Sequence, residues 1–212
     1  MNVSTLNELE DLIRHKLKNR DPLVLDPPNF THAAVLLPIF SENKTIKFIL
    51  TKRTENLRHH RGEISFPGGK KSKKDKDLVQ TALRETEEEI GVTGEQIEVV
   101  GRLDDLFTIT RYIITPFIGI LYGDIECCSN DAEVAEILRV PLSLFVSKEK
   151  FEEDRWENKG VKYPLYYYYW ENYKIWGATA YIINQFIEDV FDFQPSLINF
   201  KRHDPSLIDD FL

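Results

Sequence analysis

The chain has only two cysteines in 212 residues, Cys127 and Cys128, and they are adjacent. Neighbouring cysteines rarely bridge each other and cannot staple distant parts of a fold, and no cysteine spacing here is that of a metal site. The scarcity points to a reducing, cytoplasmic compartment. No apolar run is long enough to cross a bilayer. The opening stretch, Met1 to Arg20, lacks the uninterrupted apolar centre of a secretion signal. The closing residues Asp209-Asp210-Phe211-Leu212 are not a peroxisomal address. A basic excess is missing too. The formal charge of −8 argues against a general nucleic-acid binder. It leaves room for a small phosphorylated substrate, because local cations outweigh a distant net charge. Neither a nucleic-acid nor a membrane partner is expected, and a homodimer is left open. There is no internal repeat, and strands and helices follow one another without a regular βαβ rhythm.

What is present suffices for one domain with decorated ends: 42% hydrophobic residues, with 12% aromatics, can fill a substantial core. Residues 1–29 read as an N-terminal helical extension. In it Thr5 and Glu8 are spaced as a capping box, and Leu6, Leu9, Ile13 and Leu17 form one apolar stripe. Asp26-Pro27-Pro28-Asn29 breaks the chain. Residues 30–192 form the main domain, and 193–212 a surface tail. Ala33 to Phe40 and Ile46 to Lys52 read as strands around the turn Ser41 to Lys44. Arg53 to Ser65 reads as a basic surface loop, and Asp77 to Ile90 as the main helix. Ile97 to Leu103, Tyr112 to Tyr122 and Leu138 to Pro141 read as further strands, with Thr115-Pro116 as an irregularity or an edge feature. Leu142 to Phe145 opens a short helical piece. Val161 to Trp170 and the residues up to Trp176 make a hairpin around Glu171-Asn172, and Ala178 to Phe191 is the closing helix. The tyrosines from 166 to 169 suit a strand that serves both faces better than a base-stacking platform. The expected architecture is a mixed sheet with helices on its faces.

The densest chemical signal lies in Ala82 to Val92, ALRETEEEIGV. Glu85, Glu88 and Glu89 are three and four residues apart, so on a helix they share one side, away from the apolar stripe of Leu78, Ala82, Leu83, Thr86 and Ile90. Each exposed like-charge pair costs a few tenths of a kcal/mol. A solvated acidic face is the ordinary reading of such a run. A hard divalent cation such as Mg²⁺ turns the crowding to advantage, because carboxylate oxygens are its preferred ligands. Phe66-Pro67-Gly68-Gly69-Lys70 sets a glycine turn upstream, and Gly91 is placed to stop the helix.

Residues Gly69 to Val92 resemble the Nudix box, whose RE-x-x-EE-x-G portion is met by Arg84, Glu85, Glu88, Glu89 and Gly91. Asp75 stands where a Glu is usual, the spacer to Arg84 is one residue longer, and Thr86 fills a hydrophobic position. The Asp and the longer spacer are similar to the coenzyme A diphosphatase branch. That branch carries a further upstream signature, met here by Leu50-Thr51-Lys52-Arg53, Arg58, Gly62 and Phe66 to Gly69, with Ile49 for a Leu and Thr54 for a Ser. Ile175 to Ala180 is also similar to it. The resemblance spans roughly residues 30 to 190. It implies an α/β (α+β) fold, an α/β/α sandwich with a mixed sheet. It further implies hydrolysis of a diphosphate bond with Mg²⁺ or Mn²⁺, coenzyme A and its acyl or oxidised forms being the substrates, cleaved to 3′,5′-ADP and a 4′-phosphopantetheine product. Glu85, Glu88 and Glu89 are then the expected metal ligands, Arg84 their brace, and Glu133, ahead of Glu136, a later catalytic carboxylate. Arg53, Arg58, Arg61, Gly68, Gly69 and Lys70 are the expected substrate contacts. A transition-metal site at His59 and His60 lacks a third ligand nearby. The lysines at 71, 73, 74 and 76 read equally well as a solvated loop. ADP-ribose, a dinucleoside polyphosphate or a nucleoside triphosphate is the alternative substrate, and a silent nucleotide-binding domain a more distant alternative, because all three glutamates are kept.

Overall fold

The computed structural model describes residues 3–55, 61–158 and 161–197. Helix α1 (Leu6–Leu17) opens with the expected capping box, Thr5 and Glu8 satisfying each other's backbone donors. Its Leu9 and Ile13 are completely buried. Strands β1 (Thr31–Glu42) and β2 (Thr45–Arg53) form a hairpin. Asn43 and Lys44, both at positive φ (50° and 62°), make its two-residue turn. Two short strands follow, β3 (Ile64–Ser65) and β4 (Gly68–Lys70), then α2 (Leu78–Ile90) and β5 (Ile97–Arg102). Next come β6 (Leu106–Phe107), β7 (Tyr112–Leu121) and β8 (Val134–Pro141). The meander β9 (Phe151–Asn158), β10 (Val161–Trp170) and β11 (Tyr173–Trp176) leads into α3 (Gly177–Phe191).

The main sheet is mixed and eight-stranded, in the order β3-β2-β1-β7-β5, with β4 on β1, β6 on β7 and β8 on β2. Among the described strands only β1 and β7 run parallel. The alternation of β1 explains the layering. Ala34 and Leu36 face α2 with Ala82 and Ile90. Leu37 and Ile39 face the opposite side with α1, α3 and the β9–β11 sheet. The described residues thus form an α+β sandwich, with α2 on one face and α1 and α3 on the other. Among the described residues, no helix is long and apolar enough to cross a membrane.

Four expectations change. The stretch from 53 to 65 is not all loop: Arg53 ends β2, and Ile64 is a buried residue of β3. Two-residue strands carry too little pattern to be read from sequence. Strand β9 was not expected, because FEEDRWEN is dominated by charge; pairing with the tyrosine-rich β10 stabilises it. Pro116 is not on an edge strand, since β7 pairs with β1 on one side and with β5 and β6 on the other. Its carbonyl accepts from Leu103 N–H at the gap between β5 and β6, where no strand requires the missing donor. The tail is not wholly superficial, because Ser196 is buried and its hydroxyl donates to Glu153 at 2.6 Å. Tyr166 and Tyr168 face the core, while Lys174 lies 3.9 Å over the Tyr167 ring, as alternation requires.

Candidate active site

Asp77 caps α2 by accepting from Gln80 N–H at 2.8 Å, and Gly91 ends the helix in the left-handed region at φ 73°. The loop before β8 then folds back on the helix end. Cys128 N–H donates to Ile90 O and Asn130 N–H to Glu89 O, supplying partners that the last-turn carbonyls lack within the helix. The same loop carries Glu133, whose carbonyl accepts from Thr54 N–H at 3.0 Å. A bulge opposite Lys52 and Arg53, where Glu136 and Val134 are the successive partners, shifts the register just there. Glu133 is thereby held beside the end of β2. Glu136 is engaged elsewhere, with Tyr173 Oη donating to both its oxygens at 2.7 Å.

The three helix carboxylates do not share one surface. Glu88 is exposed, Glu85 half-buried, and Glu89 only 3% exposed, turned towards the sheet among Thr81, Ala82, Thr86 and Ile90. The expectation that Glu89 points away from the buried stripe is therefore corrected. Helical spacing locates a side chain on the cylinder but does not say how wide the covered face is. Thr51 Oγ1 donates to Glu89 Oε2 at 3.3 Å, and Gly68 N–H also donates to this carboxylate. Burial pushes Glu89 up to about 7, the Arg53 guanidinium pulls it down, and the Glu85 charge adds to the rise. Glu85 is raised as well, first by burial, with Arg84 opposing and Glu88 and Glu133 adding repulsion.

Arg84 is the brace. Its Nε and Nη2 grip Asp75 at 2.9 and 3.0 Å, a bidentate pair. Nη1 reaches Glu85 at 2.8 Å and Glu88 at 3.0 Å, and Nη2 also donates to Lys70 O. Asp75 accepts further from Ser72 N–H and Thr81 Oγ1, and the Arg84 guanidinium beside it holds its carboxyl far below the usual range. Asp75 and Thr51 were missed as site residues. The signal for Asp75 was its place in the box, and for Thr51 its place in the upstream Leu50 to Arg53 signature.

The two glycines act differently. A Cβ on Gly68 would lie 2.3 Å from Ala34 O, on the strand that β4 pairs with. A Cβ on Gly69 would lie 2.5 Å from the Glu85 carboxyl carbon, so the carboxylate occupies the space that the missing side chain leaves. Gly68→Ala is expected to destabilise the fold by about 2 kcal/mol, because backbone must move. Gly69→Ala is expected to leave the unfolding midpoint nearly unchanged and to cut turnover, because only Glu85 swings aside. Denaturant melts and initial rates on both variants check the contrast.

Of the other expected contacts, Arg53 sits beside Glu89 with its Nε buried and without a hydrogen-bond partner. Lys70 is exposed at the end of β4, with Nζ 5.3 Å from the Tyr112 ring centre. Arg61 is exposed before β3. Arg58, His59 and His60 lie outside the described residues. Among the described residues, no three His, Cys, Asp or Glu side chains are already converged as a metal cage. The donor set nonetheless fits a hard cation: it is all oxygen, partly buried and mutually repulsive.

A NUDIX domain model matches residues 30–161. A curated relative from Photorhabdus laumondii, an uncharacterized Nudix hydrolase NudL, is 40% identical over 178 residues, covering 81% of this chain and 95% of its own. Its namesake from Yersinia pestis is 36% identical over 158 residues, covering 74% and 79%. Among solved structures, a C. elegans Ap4A hydrolase complex aligns with a TM-score of 0.46 at 22% identity, over 52% of this chain and 80% of that one. The chain belongs to the Nudix hydrolase family, enzymes that act on nucleoside diphosphate derivatives.

Proposed function

We propose that this Nudix hydrolase cleaves the diphosphate bond of coenzyme A, using Mg²⁺ or Mn²⁺, to 3′,5′-ADP and 4′-phosphopantetheine. One observation carries the substrate reading. The upstream stretch that resembles the coenzyme A branch is physically part of the carboxylate site. Thr51 donates to Glu89, Arg53 lies beside it, Gly68 N–H donates to it, and Gly69 makes room for Glu85.

In this reading Glu85, Glu88 and Glu89 hold the cation. When bound, it polarises a phosphoryl oxygen, lowers the pKa of water and neutralises the charge that develops. Arg84 orients Glu85 and Glu88 while Asp75 fixes Arg84. We assign Glu133 the proton of the attacking water. Its oxygen forms the new bond to one phosphorus while the bridging oxygen leaves with the other phosphate. Arg53, Arg61 and Lys70 are the proposed phosphate contacts, a guanidinium matching phosphate charge in pairs of hydrogen bonds; Arg58, the fourth expected cation, lies outside the described residues. The compartment is cytoplasmic in this reading.

The expected result is release of 3′,5′-ADP from coenzyme A with Mg²⁺ present, and much slower turnover of ADP-ribose and Ap4A. Intact coenzyme A beside rapid hydrolysis of either competitor overturns the substrate reading and leaves the family chemistry standing.

A further inference from the structure

An open groove of about 440 Å³ lies between the end of α1 and strand β5. Every charged residue that lines it is a cation: Arg14, Lys18, Arg20 and Arg102. That is unexpected in a chain whose formal charge is −8. Arg14 and Lys18 stand one helical turn apart at the end of α1. Arg20 follows in the turn where its N–H donates to Leu17 O, and Arg102 ends β5. Three segments thus bring cations to one place.

The groove is separate from the carboxylate site. In the order β3-β2-β1-β7-β5, strand β5 lies three spacings of about 4.8 Å, roughly 14 Å, from the β2 strand that carries Thr51 and Arg53. Helix α1 also packs on the face opposite α2. The arginines are held from outside the groove. Glu10 at 2.7 Å and Glu98 grip Arg14, Asp104 and Asp189 grip Arg20, and Asp105 at 2.7 Å grips Arg102. None of these five carboxylates lines the groove. Each clamp fixes part of a guanidinium and leaves its other N–H groups for a further acceptor. Arg20 Nη1 and Arg102 Nε are buried with no acceptor among the described residues, an unfavourable state for a donor. The carbonyl dipoles at a helix C-terminus account for cations at Arg14 and Lys18 without any ligand. They account neither for Arg102, which is on a strand, nor for the unmatched donors.

We propose that this groove binds a small anion carrying two linked phosphate groups, at a site distinct from the one that hydrolyses substrate. Three partly engaged guanidinium groups and an ammonium offer more N–H donors than the oxygens of one phosphate ester can take. Size agrees: at about 30 Å³ per water-sized group the groove holds roughly fifteen, well beyond one phosphate. The carboxylate clamps pre-orient the arginines, so little freedom is lost on binding. A bound anion ties α1 to the edge of the sheet and so stabilises the folded chain.

The test titrates inorganic diphosphate into the ¹⁵N-labelled protein in EDTA, so that no metal ion carries the anion to the carboxylates. Amide shifts of Lys18, Gly101 and Arg102 should saturate, and the melting temperature should rise with ligand. Lys18→Glu, and separately the double variant Arg14→Gln, Lys18→Gln, should weaken binding roughly tenfold or more. Both positions are exposed, so both variants should fold. Inorganic phosphate should bind roughly tenfold more weakly than diphosphate. ADP identifies the source: tighter binding than diphosphate points to a nucleotide, weaker binding to the free anion, and either supports the site. Absence of saturation overturns it. So do shifts that NaCl of equal ionic strength reproduces, or shifts confined to Arg53 and Lys70 that both variants keep. Equal affinity for phosphate and diphosphate overturns the two-phosphate assignment.

Discussion

Glu89→Gln is expected to lower turnover on the order of 10³-fold while making the metal-free protein more stable. The two effects have one origin. Glu89 is almost fully buried and, without a metal, burial raises its carboxyl to about 7. Such a group binds its proton more tightly in the folded than in the unfolded chain. The sign follows from this difference. Stability of the metal-free protein falls as pH rises from the ordinary value of 4.5 through 7, and the loss is complete above that. Gln removes the slope, so the variant should exceed the parent by on the order of 2 kcal/mol at pH 8 and by little at pH 4.5. Urea melts in EDTA at both pH values read the gap. Activity falls because a ligand that contributes several kcal/mol of transition-state charge stabilisation is gone. Retained activity, together with equal midpoints at both pH values, would falsify the assignment of Glu89 as a buried metal ligand.

Arg84→Ala is the second large expectation, with stability and activity lost together. Asp75 is 7% exposed and relies on the two-pronged grip of Arg84. Removing one member of a buried pair strands the other, at about 3 kcal/mol or somewhat less where the cation is partly open to water, as Arg84 is. Glu85 and Glu88 also lose their shared cation. Arg84→Lys should recover part of the loss only, since an ammonium cannot reproduce the fork. The double variant Arg84→Ala, Asp75→Asn separates the roles. It should regain most of the stability, because no buried charge is stranded, yet stay inactive, because nothing orients Glu85. Recovery of turnover in the double variant would sink the bracing role.

Much of the fold was legible residue by residue. The Thr5 box, the stop at Gly91, the closing helix and the alternation in the tyrosine-rich strand are local features, set by side chains within a turn or two. The Glu85 to Gly91 pattern was legible for the same reason, since one helix carries it. Segments whose structure is imposed by a distant partner were not legible. Charged β9 exists because β10 pairs with it, and β3 and β4 are strands because β2 and β1 lie beside them. Whether Pro116 marked an irregularity or an edge stayed open because a sequence cannot show a gap between two partner strands.

The amino-acid order alone determined that three carboxylates, an arginine and two glycines are held at helical and turn spacings, and hence the class of chemistry. Only the tertiary structure decided which carboxylate is buried and what grips Arg84. The reason is physical. Spacing along a helix is a short-range property, fixed by hydrogen bonds four residues apart. Burial, desolvation and the neighbours that shift a carboxyl depend on surfaces brought together from opposite ends of the chain, as with Thr51, Gly68 and Glu89.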